Sequence, residues 1–245
     1  MAENVREPLL SLTGVHTHIG HYHILQGVDF CVPRGELTML LGRNGAGKTT
    51  ALRTILGLWR ASAGSVRFES ADIARRETPD IANLGIAYVP ESMGIFAGLT
   101  VHENLVLAAR NGPPTEERLD RIFRFFPPMK SFWQLPAGLL SGGQKQMLAI
   151  SRAIVEPRKL ILIDEPTKGL APAIINNLIE AFAELKKTDT TILMVEQNFH
   201  AANSLGDSVA VMDAGRIVHS GRMAELAADA ALQTGLLGLS LEAHQ

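Results

Sequence analysis

The stretch Gly42-Arg43-Asn44-Gly45-Ala46-Gly47-Lys48-Thr49-Thr50 decides the fold predicted for this chain. It fits the pattern G-x-x-x-x-G-K-[ST], whose glycines let backbone N–H groups converge on phosphate oxygens. Residues 37–41 form an apolar run between glycines, which predicts a buried strand, and residues 50–56 predict a helix. The strand–loop–helix context therefore predicts a phosphate-binding loop, here called the P-loop (residues 42–50). Lys48 is expected to reach the β- and γ-phosphates, and the Thr49 hydroxyl to hold Mg²⁺.

Length and composition restrict the class of protein. The chain has 245 residues, 46% of them hydrophobic and 20% charged, which is ordinary for a soluble α/β protein of one large or two small domains. A net charge of −2 favours neither nucleic acid nor an anionic membrane. Cys31 is the only cysteine, which suits a reducing cytosol. The apolar runs fall short of the ~20 residues that span a bilayer, so work at a membrane would need a partner.

Carboxylates follow two predicted strands. Residues 160–163 form an apolar strand that ends in Asp164 and Glu165, where an uncompensated charge would be costly. Mg²⁺ near Asp164 would compensate it, and Glu165 could orient or deprotonate a water in line with the γ-phosphate. Glu91 comes directly after the strand predicted over residues 85–89, and at the carboxyl end of that strand it is well placed to act on a bound nucleotide.

A second construction suited to anions is Leu140-Ser141-Gly142-Gly143-Gln144, the Ser-Gly-Gly motif (residues 140–144). It precedes a helix predicted over residues 145–155, whose N-terminus carries a partial positive charge. The plainer interpretation is that Ser141 only caps this helix. The presence of two candidate anion-binding elements in one chain favours the interpretation that this motif binds an anion.

Residues 100–156 lack strand signals and are predicted to be helical. Thr100-Val101-His102-Glu103 is a capping-box pattern that opens a helix to residue 110, and a second helix runs from Thr115 to Pro127. We interpret this region as a helical insertion with a core of its own. Its aromatic side chains, Phe132 and Trp133 among them, are expected to pack in that core more than to form a contact surface.

The remaining elements are read from periodicity and turn residues. Residues 9–15 and 24–32 are predicted strands around a turn near Gly20, and the histidines between them suggest either a polar loop or a metal site. Those histidines are His16, His18, His21 and His23. The other predictions are a loop at 57–64, a strand at 65–69, a polar stretch at 72–83, a helix at 171–187, a strand at 190–195, a hairpin of 208–212 with 216–219, and a helical tail at 223–239.

The P-loop, the Ser-Gly-Gly motif and Ile163-Asp164-Glu165-Pro166 occur in this order at a spacing that resembles the nucleotide-binding subunit of ABC transporters. The likeness covers almost the whole chain. It implies an α/β fold: a P-loop NTPase (RecA-like) core with an N-terminal antiparallel β subdomain and an inserted α-helical subdomain. The chain would be a single nucleotide-binding domain over 1–245, with residues 1–90 and 157–245 as core and residues 91–156 as the helical subdomain that carries the Ser-Gly-Gly motif.

The resemblance also implies an assembly. Two subunits of the family pack head to tail, so each ATP lies between one P-loop and the other subunit's Ser-Gly-Gly motif. Ser141, Gly142, Gly143 and Gln144 would then touch the γ-phosphate held by a partner. Within the family, Glu91 in place of Gln, Gln197 in place of the switch His, and Lys168-Gly169-Leu170-Ala171-Pro172 resemble the branched-chain amino-acid importers and their amide and urea relatives.

These departures have chemical consequences. Gln197 can hydrogen-bond the γ-phosphate but cannot become cationic, so Glu165 is expected to be the main base and Gln197 to position it. Glu91 would ligate Mg²⁺ directly or through water. Ile19 occupies the position where the family stacks an aromatic ring on adenine; it would offer only apolar contact, or Tyr22 or His18 would substitute.

The expected function is an ATPase subunit, using ATP and Mg²⁺, that powers an amino-acid importer from the cytoplasmic face of the membrane. The expected partners are membrane permease subunits, contacted through residues 91–98, an identical or related second ATPase, and indirectly an extracellular solute-binding protein. Nucleic acid is not expected. The alternatives are an ABC-type ATPase that acts on nucleic acid or ribosomes, a small-molecule kinase, and a non-hydrolysing regulatory subunit. The proposed permease contacts are Met93, Ile95 and Phe96.

Overall fold

A computed structural model describes residues 7–238 of the chain. Two sheets and nine α-helices account for most of these residues. The strands are β1 (Leu10–Ile19), β2 (Tyr22–Val32), β3 (Leu37–Leu41), β4 (Ala61–Phe68), β5 (Ala71–Asp72), β6 (Ile86–Val89), β7 (Leu160–Asp164), β8 (Thr191–Val195), β9 (Ser208–Asp213) and β10 (Arg216–Arg222). The helices are α1 (Lys48–Ile55), α2 (Thr78–Asn83), α3 (Val101–Ala108), α4 (Glu116–Phe125), α5 (Gly142–Ile154), α6 (Pro172–Lys186), α7 (Phe199–Leu205), α8 (Met223–Ala228) and α9 (Ala230–Leu237).

The larger sheet positions the site. Its order is β10-β9-β3-β8-β7-β6, and all strands run parallel except β10, which returns from β9 as a hairpin. Every residue of β3, β7 and β8 is buried, as expected for parallel strands covered on both faces. Because the parallel strands end at one edge, the loops that follow β3, β6, β7 and β8 are brought together there.

Two apolar clusters cover the two faces of this sheet. Neighbouring residues of β3 alternate between them: Leu40 belongs to the cluster with α1 and the antiparallel sheet, and Met39 and Leu41 to the cluster with α3, α5 and α6. This alternation follows from the two-residue period of a strand. The predicted α/β fold with an antiparallel β subdomain and helices is confirmed.

The smaller sheet is antiparallel, in the order β2-β1-β4-β5, and two predictions for it were wrong. β1 and β2 extend to a turn at residues 20–21, so His16, His18 and His23 lie in strands rather than in a loop. β4 begins at Ala61, inside the predicted loop 57–64. In both cases pairing with β1 supplies backbone hydrogen bonds, and an outer sheet face tolerates the polar side chains that resembled a loop.

The helical segment between β6 and β7 holds α3, α4 and α5. The predicted capping box at Thr100 is present, with the Glu103 N–H donating to Thr100 Oγ1 at 3.1 Å. Phe126 and Phe132 are buried, so the aromatic side chains do pack in a core. A separate core for this segment was wrong, however, because these rings belong to the same cluster as one face of the larger sheet.

The C-terminal tail is helical as predicted, but it is divided into α8 and α9, and residue 239 lies outside the described residues. Within residues 7–238, no helix is both long enough and apolar enough to traverse a bilayer.

Candidate functional site

The P-loop is a backbone cradle between β3 and α1. Gly42, Gly45 and Gly47 adopt φ values of 147°, 80° and 109°, which side chains with a Cβ rarely allow. At Gly42 a Cβ would lie 2.2 Å from the carbonyl oxygen of Met212, so the close approach of β9 requires glycine there. No side chain caps the N-terminus of α1. Its first N–H groups are therefore available to an anion.

Lys48 is folded into this cradle. Its side chain is buried, and its ammonium donates to the carbonyl oxygens of Gly42 at 2.8 Å and Arg43 at 3.1 Å. Burial lowers the pKa of Lys48, and the nearby charges of Glu165 and Asp164 oppose that shift. The Nζ atom lies 3.7 Å from Glu165 Oε1. The cation thus stands between the loop and the carboxylates, where phosphate oxygens could replace its carbonyl partners.

Asp164 ends β7 directly opposite the start of α1. The Thr49 hydroxyl donates to its Oδ1 at 3.1 Å, and the Tyr88 hydroxyl from β6 donates to its Oδ2 at 3.2 Å. Burial raises the pKa of Asp164, and the two hydroxyl donors work against that rise. Burial and the neighbouring carboxylate also raise the pKa of Tyr88 to about 12, so Tyr88 remains a donor.

Glu165 turns back from the strand end in a left-handed conformation, with φ of 48°, which is strained for a residue with a side chain. Its carboxylate accepts from Gln197 Nε2 at 2.5 Å and lies 3.2 Å from the Lys168 ammonium. Burial of Glu165 opposes ionisation, but these donors and the charge of Lys48 outweigh it and lower its pKa. The carboxylate is therefore ionised at neutral pH.

Gln197 joins the loop after β8 to the P-loop. Besides Glu165, its Nε2 donates to Asn44 Oδ1 at 2.7 Å. The structure thus brings the two side chains predicted to be catalytic into one hydrogen-bonded group with the P-loop.

Glu91 lies in the same cleft, but its carboxylate is paired with the Lys168 ammonium at 2.6 Å. Within residues 7–238 it makes no hydrogen bond to Thr49 or Asp164.

The cleft in which these side chains lie, here called the P-loop cleft, has a volume of about 290 Å³. It is lined by Ile24, Asn44, Gly45, Gly47, Lys48, Thr49, Thr50, Glu91, Glu165 and Lys168.

Ile19 does not line the P-loop cleft. It pairs with Tyr22 at the β1–β2 turn, and the apolar residue of β2 in the cleft is Ile24. Of the other P-loop residues, Ala46 is buried, and its carbonyl oxygen accepts from the Gly215 N–H at 2.9 Å. Arg43 and Asn44 are exposed and border a second cavity of about 360 Å³ that extends to Glu196 and α9.

The Ser-Gly-Gly motif is separate from the P-loop within this chain. Ser141 caps α5: its Oγ accepts from the Gln144 N–H at 3.3 Å, and the Gln144 side chain accepts from the Ser141 N–H at 2.9 Å. Ser141 and Gly142 are exposed, whereas Gly143 is buried against Ile174 of α6. No hydrogen bond in the part of the chain that the structure describes joins the motif to the P-loop.

The histidines form a stack on the outer face of the antiparallel sheet. His16 Nδ1 and His23 Nε2 are 2.9 Å apart, and the rings of His18 and His23 stack with centroids 4.2 Å apart. Across residues 7–238, no group of three or more histidine, cysteine or acidic side chains is arranged to hold a metal ion. The metal interpretation of these histidines was therefore wrong, because strand pairing leads their rings to stack on one another.

Three polar side chains at the site were given no role from the sequence: Tyr88, Lys168 and Glu196. Each lies on a parallel strand or in the loop directly after one. A polar residue next to the carboxyl end of a buried strand was the available signal, and only strand order reveals which of them meet.

A P-loop that faces an Asp-Glu pair at the end of another parallel strand of the same sheet defines the class of P-loop ATPases. A family model described as ABC transporter matches residues 25–168. The chain belongs to the ABC transporter family and is an ATP-binding ATPase of that family.

Relatives and solved structures agree with this assignment. The chain is 37% identical to the high-affinity branched-chain amino acid transport ATP-binding protein BraG of Pseudomonas aeruginosa, over 94% of this chain and 100% of that protein. It is 36% identical to a probable branched-chain amino acid transport ATP-binding protein, LivF, of Archaeoglobus fulgidus, over 83% and 88% of the two chains. A crystal structure of the ADP conformation of an ATP-binding cassette from an ABC transporter matches with a TM-score of 0.79 at 28% identity, over 95% of this chain and 99% of that one.

Proposed function

We propose that this chain is the ATP-hydrolysing subunit of an importer that takes up branched-chain or related amino acids through membrane permease subunits. The observation that carries the proposal is the contact of Asp164, Glu165 and Gln197 with P-loop side chains: Asp164 with Thr49, Glu165 with Lys48, and Gln197 with Asn44 and Glu165. The named transport function of BraG, similar over nearly the full length of both chains, supports the choice of substrate class.

Mg²⁺ fits the oxygen donors of the cleft. Thr49 Oγ1 and Asp164 Oδ1 are 3.1 Å apart, and a hydroxyl with a carboxylate is a donor set that Mg²⁺ accepts. When bound, the ion would neutralise phosphate charge. Asp164, partly desolvated and stabilised by two hydroxyl donors, would hold it. Glu91 could contribute directly only after leaving Lys168, so at its present position it would act through water.

The chain's own residues then divide the work of hydrolysis. The P-loop N–H groups and Lys48 would bind the phosphates, since both are positive and face the cleft. Glu165, ionised and held by Gln197, would accept a proton from the attacking water. Gln197 remains neutral, so its role would be to hold Glu165 and the γ-phosphate in register. Ile24 is the apolar side chain on which the nucleoside could rest in place of Ile19.

Assembly would complete the site. Within residues 7–238 the Ser-Gly-Gly motif makes no hydrogen bond to the P-loop, and its Ser141 and Gly142 are exposed. We propose that a second ATPase subunit, identical or related, presents its own copy to this P-loop. In that arrangement Ser141, Gly142, Gly143 and Gln144 would contact the γ-phosphate held by the partner.

We further propose that the permease docks beside residues 91–98. A groove of about 340 Å³ between β6 and α5 is lined in part by Met93 and Gly94, and the Phe96 side chain is 49% exposed nearby in sequence. The proposed contact would lie between the proposed core (residues 1–90 and 157–245) and the proposed helical subdomain (residues 91–156). The chain would then sit peripherally on the cytoplasmic face of the membrane, with an extracellular binding protein acting indirectly.

The test is uptake of labelled leucine, and of an amide and urea, by cells whose own gene for this subunit is deleted. The wild-type chain should restore uptake of the amino acid, and Glu165→Gln should not, although it should still bind ATP. Uptake of the amide or urea alone would redirect the substrate assignment. Full uptake with Glu165→Gln would contradict the proposed mechanism.

A further inference from the structure

Glu196 is a buried carboxylate that the hydrolytic roles above do not use. It follows β8 directly, and its side chain is only 2% exposed. Within residues 7–238 it forms no ion pair with a cationic side chain. A buried charge without such a partner needs hydrogen-bond donors, so the groups that supply them show what this side chain holds together.

Four donors surround the carboxylate. Its Oε1 accepts from the Thr167 N–H at 3.1 Å. Its Oε2 accepts from the Thr167 hydroxyl at 3.0 Å and from the N–H groups of Gln197 at 3.0 Å and Asn198 at 3.2 Å. The first pair of donors belongs to the loop after β7, and the second pair belongs to the loop after β8. One side chain therefore ties the two loops together.

Both loops carry groups of the proposed hydrolytic machinery. Thr167 stands two residues after Glu165, and the N–H of Gln197 is itself one of the donors. The Gln197 side chain donates to Glu165 at 2.5 Å, and that bond spans the gap between the same two loops. A change in the separation of the loops would thus first alter the hydrogen bond between Gln197 and Glu165, the pair proposed to prepare the attacking water.

The chemistry of the four donors requires a carboxylate. An ionised carboxylate only accepts, and its lone pairs suffice for all four bonds. A glutamine of the same shape would bring an NH₂ group against at least one of three backbone N–H groups. Of the four donors, only the Thr167 hydroxyl can also act as an acceptor. In either orientation of the glutamine amide, its NH₂ group would therefore face at least one backbone N–H, and neither group could accept.

We propose that Glu196 is a positioning residue for ATP hydrolysis, which clamps the loop after β7 to the loop after β8 and so fixes Gln197 against Glu165. The inference rests on the proposed hydrolytic roles of Glu165 and Gln197. In this role Glu196 does not touch the reacting atoms of the nucleotide. It acts through the geometry of the two loops that its oxygens hold.

The experiment compares Glu196→Gln with Glu156→Gln in the assembled transporter complex. Glu156 is the control, because it is also buried and also accepts two backbone N–H bonds, from Arg110 at 2.8 Å and Asn111 at 3.2 Å, outside the P-loop cleft. Unlike Glu196, it is also paired with Arg118 and Arg158. The measurements are kcat and KM for ATP, ATP affinity and Tm. A clamp predicts that Glu196→Gln lowers kcat by about tenfold to 10²-fold with KM changed less than about twofold, since a displacement near 1 Å costs that much. Glu156→Gln should lower Tm and leave kcat per folded molecule unchanged.

A second comparison keeps the inference testable if Glu196→Gln does not fold. Thr167→Val removes one of the four donors, and Thr167→Ser retains it. Thr167→Val should lower kcat in the same way but less, and Thr167→Ser should restore it. The double variant Thr167→Val/Gln197→Ala should have a kcat little lower than that of Gln197→Ala alone, because both substitutions release the same contact.

The outcomes separate this inference from the function on which it rests. If Glu196→Gln, folded, keeps the wild-type kcat while Glu165→Gln is inactive, the clamp is wrong and the proposed function stands. The clamp is also wrong if Glu196→Gln and Glu156→Gln behave alike. If Glu165→Gln itself hydrolyses ATP at the wild-type rate, the hydrolytic roles fail first.

Discussion

The two anion-type motifs of this chain, the P-loop and the Ser-Gly-Gly motif, both stand at helix N-termini but differ in what satisfies the backbone there. No side chain caps α1, and the loop before it bends through glycines with positive φ. α5 is capped by Ser141 and Gln144 in a complete capping box. The first helix start is left open for a ligand, whereas the second is already a stable helix start without one.

The P-loop and the Ser-Gly-Gly motif also differ in the side chains that surround them. The P-loop faces Asp164, Glu165 and Gln197 from neighbouring strands, so its cleft is assembled within one chain. The Ser-Gly-Gly motif presents Ser141 and Gly142 to solvent. Substitutions in the P-loop should therefore alter nucleotide binding by an isolated chain, whereas substitutions in the Ser-Gly-Gly motif should alter ATPase activity only where a second subunit meets the motif.

The largest expected effect is that of Lys48→Ala. Removing the ammonium takes away a buried donor that faces the phosphate cradle, and loss of one such preorganised donor costs about 10²–10³-fold in kcat. ATP binding by the isolated chain should also weaken, as measured by calorimetry. Unchanged nucleotide binding by the isolated variant would contradict this contrast between the two motifs, because the P-loop cleft would then not be complete within one chain.

Next comes Ser141→Ala, with Thr100→Ala as its matched control, since both residues anchor capping boxes. Each variant should lose about 1 kcal/mol of unfolding free energy in urea titrations. Only Ser141→Ala should also lower ATPase activity of the assembled complex, by about tenfold or more, because a hydrogen bond to a charged group contributes about 1.5–3 kcal/mol. Equal activity of the two variants would show that Ser141 is a cap and nothing else.

The two glycines of the Ser-Gly-Gly motif should separate packing from function. At Gly143 a Cβ would lie 2.7 Å from Ile174 Cγ2, whereas at Gly142 the nearest atom is 3.7 Å away. Gly143→Ala should therefore destabilise the fold by about 1–3 kcal/mol through overpacking, and Gly142→Ala should not. If Gly142→Ala nevertheless lowers ATPase activity in the complex, this result would indicate that the exposed side of Gly142 meets the partner subunit. Equal urea midpoints for the two variants would contradict this packing.

The smallest expected effect is a pH shift in Tyr88→Phe. The Tyr88 hydroxyl stabilises ionised Asp164, whose pKa is already raised by burial, so removing it should raise that pKa further. More of the carboxylate is then protonated on the acid side, and the acid limb of the ATPase profile should move to higher pH with little change near pH 8. A profile that coincides with wild type would mean that Tyr88 does not support the cleft.

Local chemistry explains which predictions succeeded. The turn at residues 42–47, the cap at Thr100 and the buried strand before Asp164 each depend on residues a few positions apart, so they can be predicted directly from the sequence. The strands of the antiparallel sheet were misjudged at His16, His18 and Ala61. Ala61 pairs with Thr17, so β4 forms only against a strand that is distant along the chain. His18 pairs with His23 in a local hairpin, where the polar side chains on the outer sheet face resembled a loop.

The sequence by itself determined the class of the protein, the P-loop, the Asp164–Glu165 pair and the position of the second helix start. The packing of the antiparallel sheet beside the P-loop is a tertiary property, and it puts Ile24 rather than Ile19 in the cleft. The order of the parallel strands is a tertiary property as well, and it explains why Tyr88 supports Asp164 and why Lys168 lies between Glu91 and Glu165. The same order brings Glu196 to Thr167 across two loops. Parallel strands that are far apart in the chain end side by side, and the residues that follow them meet for that reason.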